Sequence, residues 1–331
     1  MDKDQEDMQF LSLFGIYKES CNIILQWRKL FAQITLALVL PLSFIFLLHM
    51  KVSDALFSEI TRDWMALDAK NYDKLSDRID RETAFFLLFK AAYFTFLLIF
   101  SLLATSAVVY TIASVYAGRE VSFRKAMRVV PRVWKKLMAI FMMMFYLICI
   151  YNIGAVIFFI TFQSIGSPEN VRVAFYIVFG GFYLVGLVYL SMVWQLASVV
   201  AVLEEASYMG HAINKSHALI KGKIWVVSLI FLKFNLLLVL IQLGFQNLVV
   251  HRNNTISTGI TSRIAFGVLC CSLLCALILS ELVVQTVVYF VCKSYHHENV
   301  DKSALSDHLE GYLGEYVPLV SMDVQLEQYN V

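Results

Sequence analysis

Polar residues thin out in six stretches of this chain and return between them. The stretches are 30–50, 84–117, 137–162, 173–203, 224–250 and 264–292, and only Lys90, Lys233 and Glu281 carry charge within them. A hydrocarbon layer about 30 Å thick takes roughly 20 helical residues to cross, so each stretch is long enough. Inside lipid the backbone must satisfy its own hydrogen bonds, which leaves helices or a closed barrel. Unbroken apolar runs such as 36–40 and 142–146 lack the alternation of a barrel strand. The pattern predicts an all-α fold: a polytopic membrane bundle of six transmembrane helices over 30–292, preceded by a segment 1–29 and followed by a tail 293–331.

Composition agrees. Of 331 residues, 59% are hydrophobic and 16% charged, with a mean hydropathy of +0.69, which excludes a soluble domain, a disordered chain and a collagen-like repeat.

Charge sets the expected orientation. Sixteen Lys and Arg fall before the first span, between spans two and three, between spans four and five, and in the tail; nine fall on the other side. Positive charge is retained on the cytoplasmic side, so both termini are expected there, in an endomembrane or the plasma membrane. The first span follows no signal-peptide pattern and reads as uncleaved. None of the six cysteines falls in a non-cytoplasmic loop, so no structural disulfide is expected.

Two connectors are basic and amphipathic. In the first, Phe123, Met127, Val130, Val133, Trp134 and Leu137 recur near helical spacing, opposite Arg124, Arg128, Arg132 and Lys135. With Lys125 and Lys136 these form a candidate surface for anionic lipid headgroups, and Pro131 is expected to divide the helix into two pieces. The second connector, around Ala212, Ile213, Lys215, Leu219 and Lys221, is a weaker copy. The wording 113–117 then Glu120 returns as 197–201 then Glu204, which predicts an internal repeat of span, connector and returning span. Residues 51–83 predict one or two short helices outside the membrane, and Pro41 a kink in the first span.

Candidate chemistry is sparse. The histidines and cysteines lack metal-ligand spacing, and neither a phosphate-cradling glycine loop nor a Gly-x-Ser-x-Gly turn occurs. No cofactor, no metal, no catalytic set and no nucleic-acid partner are expected. The strongest constellation is a membrane-buried polar layer. Lys233, Glu281 and Gln195 lie at depths agreeing within about 5 Å at helical rise, with Asn235 and Gln285 nearby. A buried charge in lipid faces a partner or a cavity, so a Lys233–Glu281 pair is expected. The acidic tail places Leu305, Leu309, Tyr312, Leu313 and Tyr316 on one helical face suited to a cytoplasmic protein partner or a membrane surface, and Tyr316 to Leu319 matches a tyrosine-x-x-bulky sorting pattern.

The runs 14–20, 28–38 and 41–46, with the ending 314–319 and 323–327, carry a resemblance. Over essentially its full length the chain resembles a plant family of uncharacterised multi-pass transmembrane proteins, some of whose members are labelled as binding a polyadenylate-binding protein. The Leu-Asn-x-x-Ala-x-x-Phe-x-Pro peptide such binding uses is not found here. Ser122, Phe123, Ala126 and Leu137, with Ala212, Ser216, Leu219, Lys221 and Gly222, are similar in spacing to membrane domains beside bacterial glycerophosphodiester phosphodiesterases. That similarity implies a membrane scaffold with basic elbows and carries over no hydrolase activity. The sequence therefore reads as a non-enzymatic membrane protein organising lipids or partner proteins, with a solute or ion transporter using the Lys233/Glu281 layer as the alternative.

Overall fold

A computed structural model of the chain describes residues 11–65, 72–119, 121–164, 168–204, 209–250 and 260–297, together with Leu305, Leu309, Gly311 and Tyr312. Among the described residues every regular element is helical. In chain order these are α1 (Leu13–Gln26), α2 (Arg28–Ile34), α3 (Leu40–Met65), α4 (Tyr72–Tyr116), α5 (Phe123–Ser164), α6 (Glu169–Leu203), α7 (Met209–Ile220), α8 (Ile224–Phe245) and α9 (Ile260–Tyr295). The wider π turn Thr35–Val39 joins α2 to α3, and a second, Gln246–Val250, extends α8. Six helical stretches are long and apolar enough to cross a membrane.

The core lies toward one end of the bundle, which holds α1, the start of α5, α7 and the last turns of α6 and α9; we call it the connector end. There α6 buries Val199 to Leu203 on every side, and α9 does the same from Val283 to Val288 and on to Cys292. Ala104, Ala107, Val108 and Ala113 of α4 let helices approach closely, as small residues do where packing rather than hydrophobic transfer drives association. The far halves of α5 and α6 instead pair mainly with each other. Phe162 stacks on Phe175 at 3.6 Å and Phe158 lies 5.4 Å from Phe179, while Tyr151 donates to the Tyr183 carbonyl at 3.0 Å. Around this ladder Ile157, Ile177, Phe182 and Val185 are exposed.

Two expectations are corrected, for residues 51–83 and for Pro131. Residues 51–65 and 72–83 are not separate short helices: α3 runs on to Met65 and α4 begins at Tyr72, so each of these helices continues past its apolar stretch. Arg78 joins the two extensions, its Nε lying 3.0 Å from Asp63 and 2.8 Å from Glu82. Pro131 does not divide the first connector, which is continuous with the third span in the 42-residue α5. Proline costs a helix interior about 3 kcal/mol. Val129, Val130 and Val133 are fully buried around it and offset this at roughly 1.5–3 kcal/mol each. Pro41 follows a π turn in which Leu40 N–H bonds Thr35, five residues back; the wider turn makes room for a ring that clashes with the fourth preceding carbonyl. The second connector is a separate helix, α7, closed by a turn at Lys221–Lys223, so the two units of the expected repeat differ in how connector meets span.

Candidate functional site

The polar layer assembles without its lysine. Gln195 on α6 donates its side-chain amide to the Glu281 carboxylate on α9. Gln285, one turn further along α9, faces the same small cavity, which Phe231 and Phe234 of α8 help to close. The cavity has about 20 Å³, room for roughly one water. Gln285 Nε2 is buried with no hydrogen-bond partner among the described residues, so a water between it and Glu281 would satisfy both. Lys233 is placed elsewhere: its ammonium sits 4.2 Å from the centre of the Tyr17 ring on α1. The expected Lys233–Glu281 pair is not formed, because one residue along a helix turns the side chain by about 100° and depth alone does not fix azimuth. Asn235 donates to the Phe231 carbonyl of its own helix at 2.9 Å and does not join the layer.

The first connector is amphipathic, but its buried face is turned from the one read: Phe123, Met127 and Trp134 are only half-buried, whereas Ala126 and Val129 are buried. Ala126, Val129, Val130, Val133 and Leu137 bury one face of α5, at spacings of three and four. Arg124, Arg128, Arg132 and Lys135 are exposed on the other, and Lys125 and Lys136 are half-buried beside them. This face is partly occupied by the chain's own tail. Arg132 donates to the Gly311 carbonyl at 3.2 Å and to that of Tyr312, and the Lys136 ammonium lies 3.3 Å from the Tyr312 hydroxyl. Leu305, Leu309 and Tyr312 are buried, Leu309 almost completely. The apolar tail face read as suited to a partner thus packs, at these three positions, on its own bundle. Tyr316 and Leu319 lie outside the described residues.

A third cluster closes the connector end. Glu204, just past α6, accepts from Tyr289 at 2.7 Å and from Lys293 at 2.9 Å, both on α9. Burial pushes the Glu204 carboxyl up, but the Lys293 ammonium, the Tyr289 hydroxyl and nearby Lys215 outweigh it and hold the group below its ordinary value. At the other side of this end, Lys223 donates to the Leu11 carbonyl at 3.3 Å and its ammonium is pushed down by burial. No group of three or more metal-ligating side chains occurs among the described residues, and the six cysteines are all free.

A family model for a domain of unknown function, DUF8558, matches residues 1–329. The chain belongs to the DUF8558 family. Comparison with curated proteins gives no match, and neither does comparison with solved structures. The DUF8558 match spans the bundle, both connectors and the tail, so these belong to one family unit. Its description names no activity, substrate or partner, and the functional reading rests on geometry.

Within this DUF8558 chain, sequence reasoning missed the Glu204–Tyr289–Lys293 cluster and the docking of the tail. Glu204 was visible only as a marker of the repeat, because an acid beside a span end reads as ordinary boundary polarity. For the tail, spacing identified the apolar face but said nothing of what covers it.

Proposed function

We propose that this DUF8558 chain is a multi-pass integral membrane protein with both termini cytoplasmic, in an endomembrane or the plasma membrane. It organises anionic lipids and, through its acidic tail, a cytoplasmic protein partner, and it performs no catalysis. One observation carries the reading: α5 is locked into the core along one face and presents Arg124, Arg128, Arg132 and Lys135 along the other. A helix held this way cannot turn its cations inward, and each basic residue near an anionic surface contributes about 1 kcal/mol. The apolar ladder of α5 and α6 supports membrane placement, since lipid is the solvent that surface fits. Duplication of a span–connector–span unit would account for a basic elbow after both the second and the fourth span.

Transport is the second reading, favoured by the Gln195–Glu281–Gln285 cluster within the spans. It has lost its Lys233 partner, and a cavity for roughly one water fits a polar clamp better than a solute site.

The test is lipid co-purification from mild detergent, read by mass spectrometry, with the Arg124, Arg128 and Arg132→Gln chain beside wild type. Depletion of anionic lipid in the variant, with zwitterionic lipid unchanged, is the expected result. Equal anionic lipid in both would remove the reading, and solute movement in vesicles that is lost in Glu281→Gln would replace it with transport.

A further inference from the structure

At the end opposite the connectors, three elements part to leave a groove of about 600 Å³, within the range of small-molecule and lipid sites. Its walls come from α3 (Leu40 to Lys51), from the end of α8 and the π turn after it (Phe245, Val249), and from α9 (Arg263 to Ser272). Nearly all of the lining is apolar, and both of its charges are positive: Lys51 and Arg263. These two residues stand immediately outside the apolar stretches 30–50 and 264–292, so both occupy the level of the headgroups.

The dimensions match one leaflet. From Lys51 down to Leu40 is eleven residues, about 16 Å at helical rise, and from Arg263 to Ser272 is nine, about 14 Å. Half of a hydrocarbon layer about 30 Å thick is about 15 Å. The groove opens sideways: Phe44, Ile264 and Val268 are 59%, 62% and 64% exposed, so a chain can enter from the surrounding lipid without crossing protein. Arg263 has a structural task as well, donating one N–H to the Val249 carbonyl, which a helix end extended by a π turn leaves without its regular partner. A guanidinium has five N–H donors, and that bond uses one of them.

We propose that this groove binds a phospholipid of net negative charge in the leaflet opposite the connectors, one acyl chain lying between α3 and α9 and the headgroup phosphate held by Lys51 and Arg263. The assignment rests on the membrane placement argued above and is independent of the connector surface. Charge complementarity selects the occupant: a zwitterionic lipid would bring its own cation to a site that already holds two. Gly267 sits in the groove wall, and a Cβ there would meet no atom within 4 Å, so a larger side chain at this position enters the groove rather than the protein.

The experiment uses the full chain in mild detergent, titrated with dioleoyl phosphatidylglycerol or dioleoyl phosphatidylcholine and read by native mass spectrometry. Wild type should retain phosphatidylglycerol preferentially. Lys51→Gln and Arg263→Gln should each lower that retention about fivefold, the effect of one basic residue at an anionic surface. Gly267→Leu should reduce retention of both lipids. Arg263→Gln also removes a helix-end contact, so Lys51→Gln and Gly267→Leu, which touch no such bond, decide the matter if that variant is unstable. Unchanged phosphatidylglycerol retention in these two overturns the proposal. Alkaline extraction of the same chain from membranes separates this failure from the broader one: a chain released by extraction defeats the membrane reading itself, whereas an integrated chain with unaltered retention defeats only the site. The Arg124, Arg128 and Arg132→Gln chain should keep the Lys51-dependent component in full.

Discussion

Arg132 donates to the main-chain carbonyl of Tyr312, tying the basic face of α5 to the tail. The contact takes up one cation of the exposed basic face, and Lys136 is engaged by the same tyrosine. On the function proposed above, tail and anionic lipid would compete for part of one surface.

Undocking the tail should strengthen lipid binding. Leu309→Asp places a charge in a site that is 1% exposed and should release the tail while leaving the bundle folded. Anionic vesicle affinity is expected to rise about fivefold for each cation released. Affinity equal to wild type, with the tail shown by limited proteolysis to be free, would mean that the docked tail does not mask the connector.

The Gln195–Glu281 contact and the absent Lys233–Glu281 pair make a matched comparison by double-mutant cycle. Glu281→Gln with Gln195→Leu should show coupling of about 1–2 kcal/mol in detergent unfolding, as groups in direct hydrogen bond do. Glu281→Gln with Lys233→Met should be additive within about 0.5 kcal/mol. Strong coupling of the lysine pair would restore the arrangement expected from the sequence. Lys233 should instead couple to Tyr17, by about 1 kcal/mol for a cation over a ring.

Glu204 supplies a pH dependence of known sign. Its carboxyl is held below the ordinary value of 4.5, so its stabilisation is present above about pH 4.5 and is lost as pH falls through the lower folded value. The melting temperature of wild type should exceed that of Glu204→Gln by a constant margin at neutral pH, and the margin should shrink on acidification below about 4.5. A charge-assisted pair of this kind contributes on the order of 2 kcal/mol. A margin that widened on acidification would reverse the assigned sign.

The bundle was legible in the sequence because apolar length is a one-dimensional property. The six stretches reappear as six helices, and α5 has a buried and an exposed face, though Ala126 and Val129 take the buried places read for Met127 and Trp134. What escaped the sequence depends on azimuth and on neighbours. Lys233 and Glu281 share a depth but point to different partners, and the apolar face of the tail could not announce that it packs into the core of its own bundle. Pro131 misled because the rule for proline is local, whereas the valines that keep α5 continuous act through the core. Lys51 and Arg263 read separately as boundary charges; only the fold brings them to one groove.

The central claim is that α5 rests on anionic headgroups, and Trp134, half-buried on that helix between Arg132 and Lys135, can report it directly. A chain keeping Trp134 and carrying Phe at Trp27, Trp64, Trp194 and Trp225 would be reconstituted with phosphatidylserine or phosphatidylcholine brominated near the headgroup. The account predicts stronger quenching by brominated phosphatidylserine, weakened by high salt and by Arg124, Arg128 and Arg132→Gln. Equal quenching by the two lipids, unaffected by salt or by those substitutions, would contradict it.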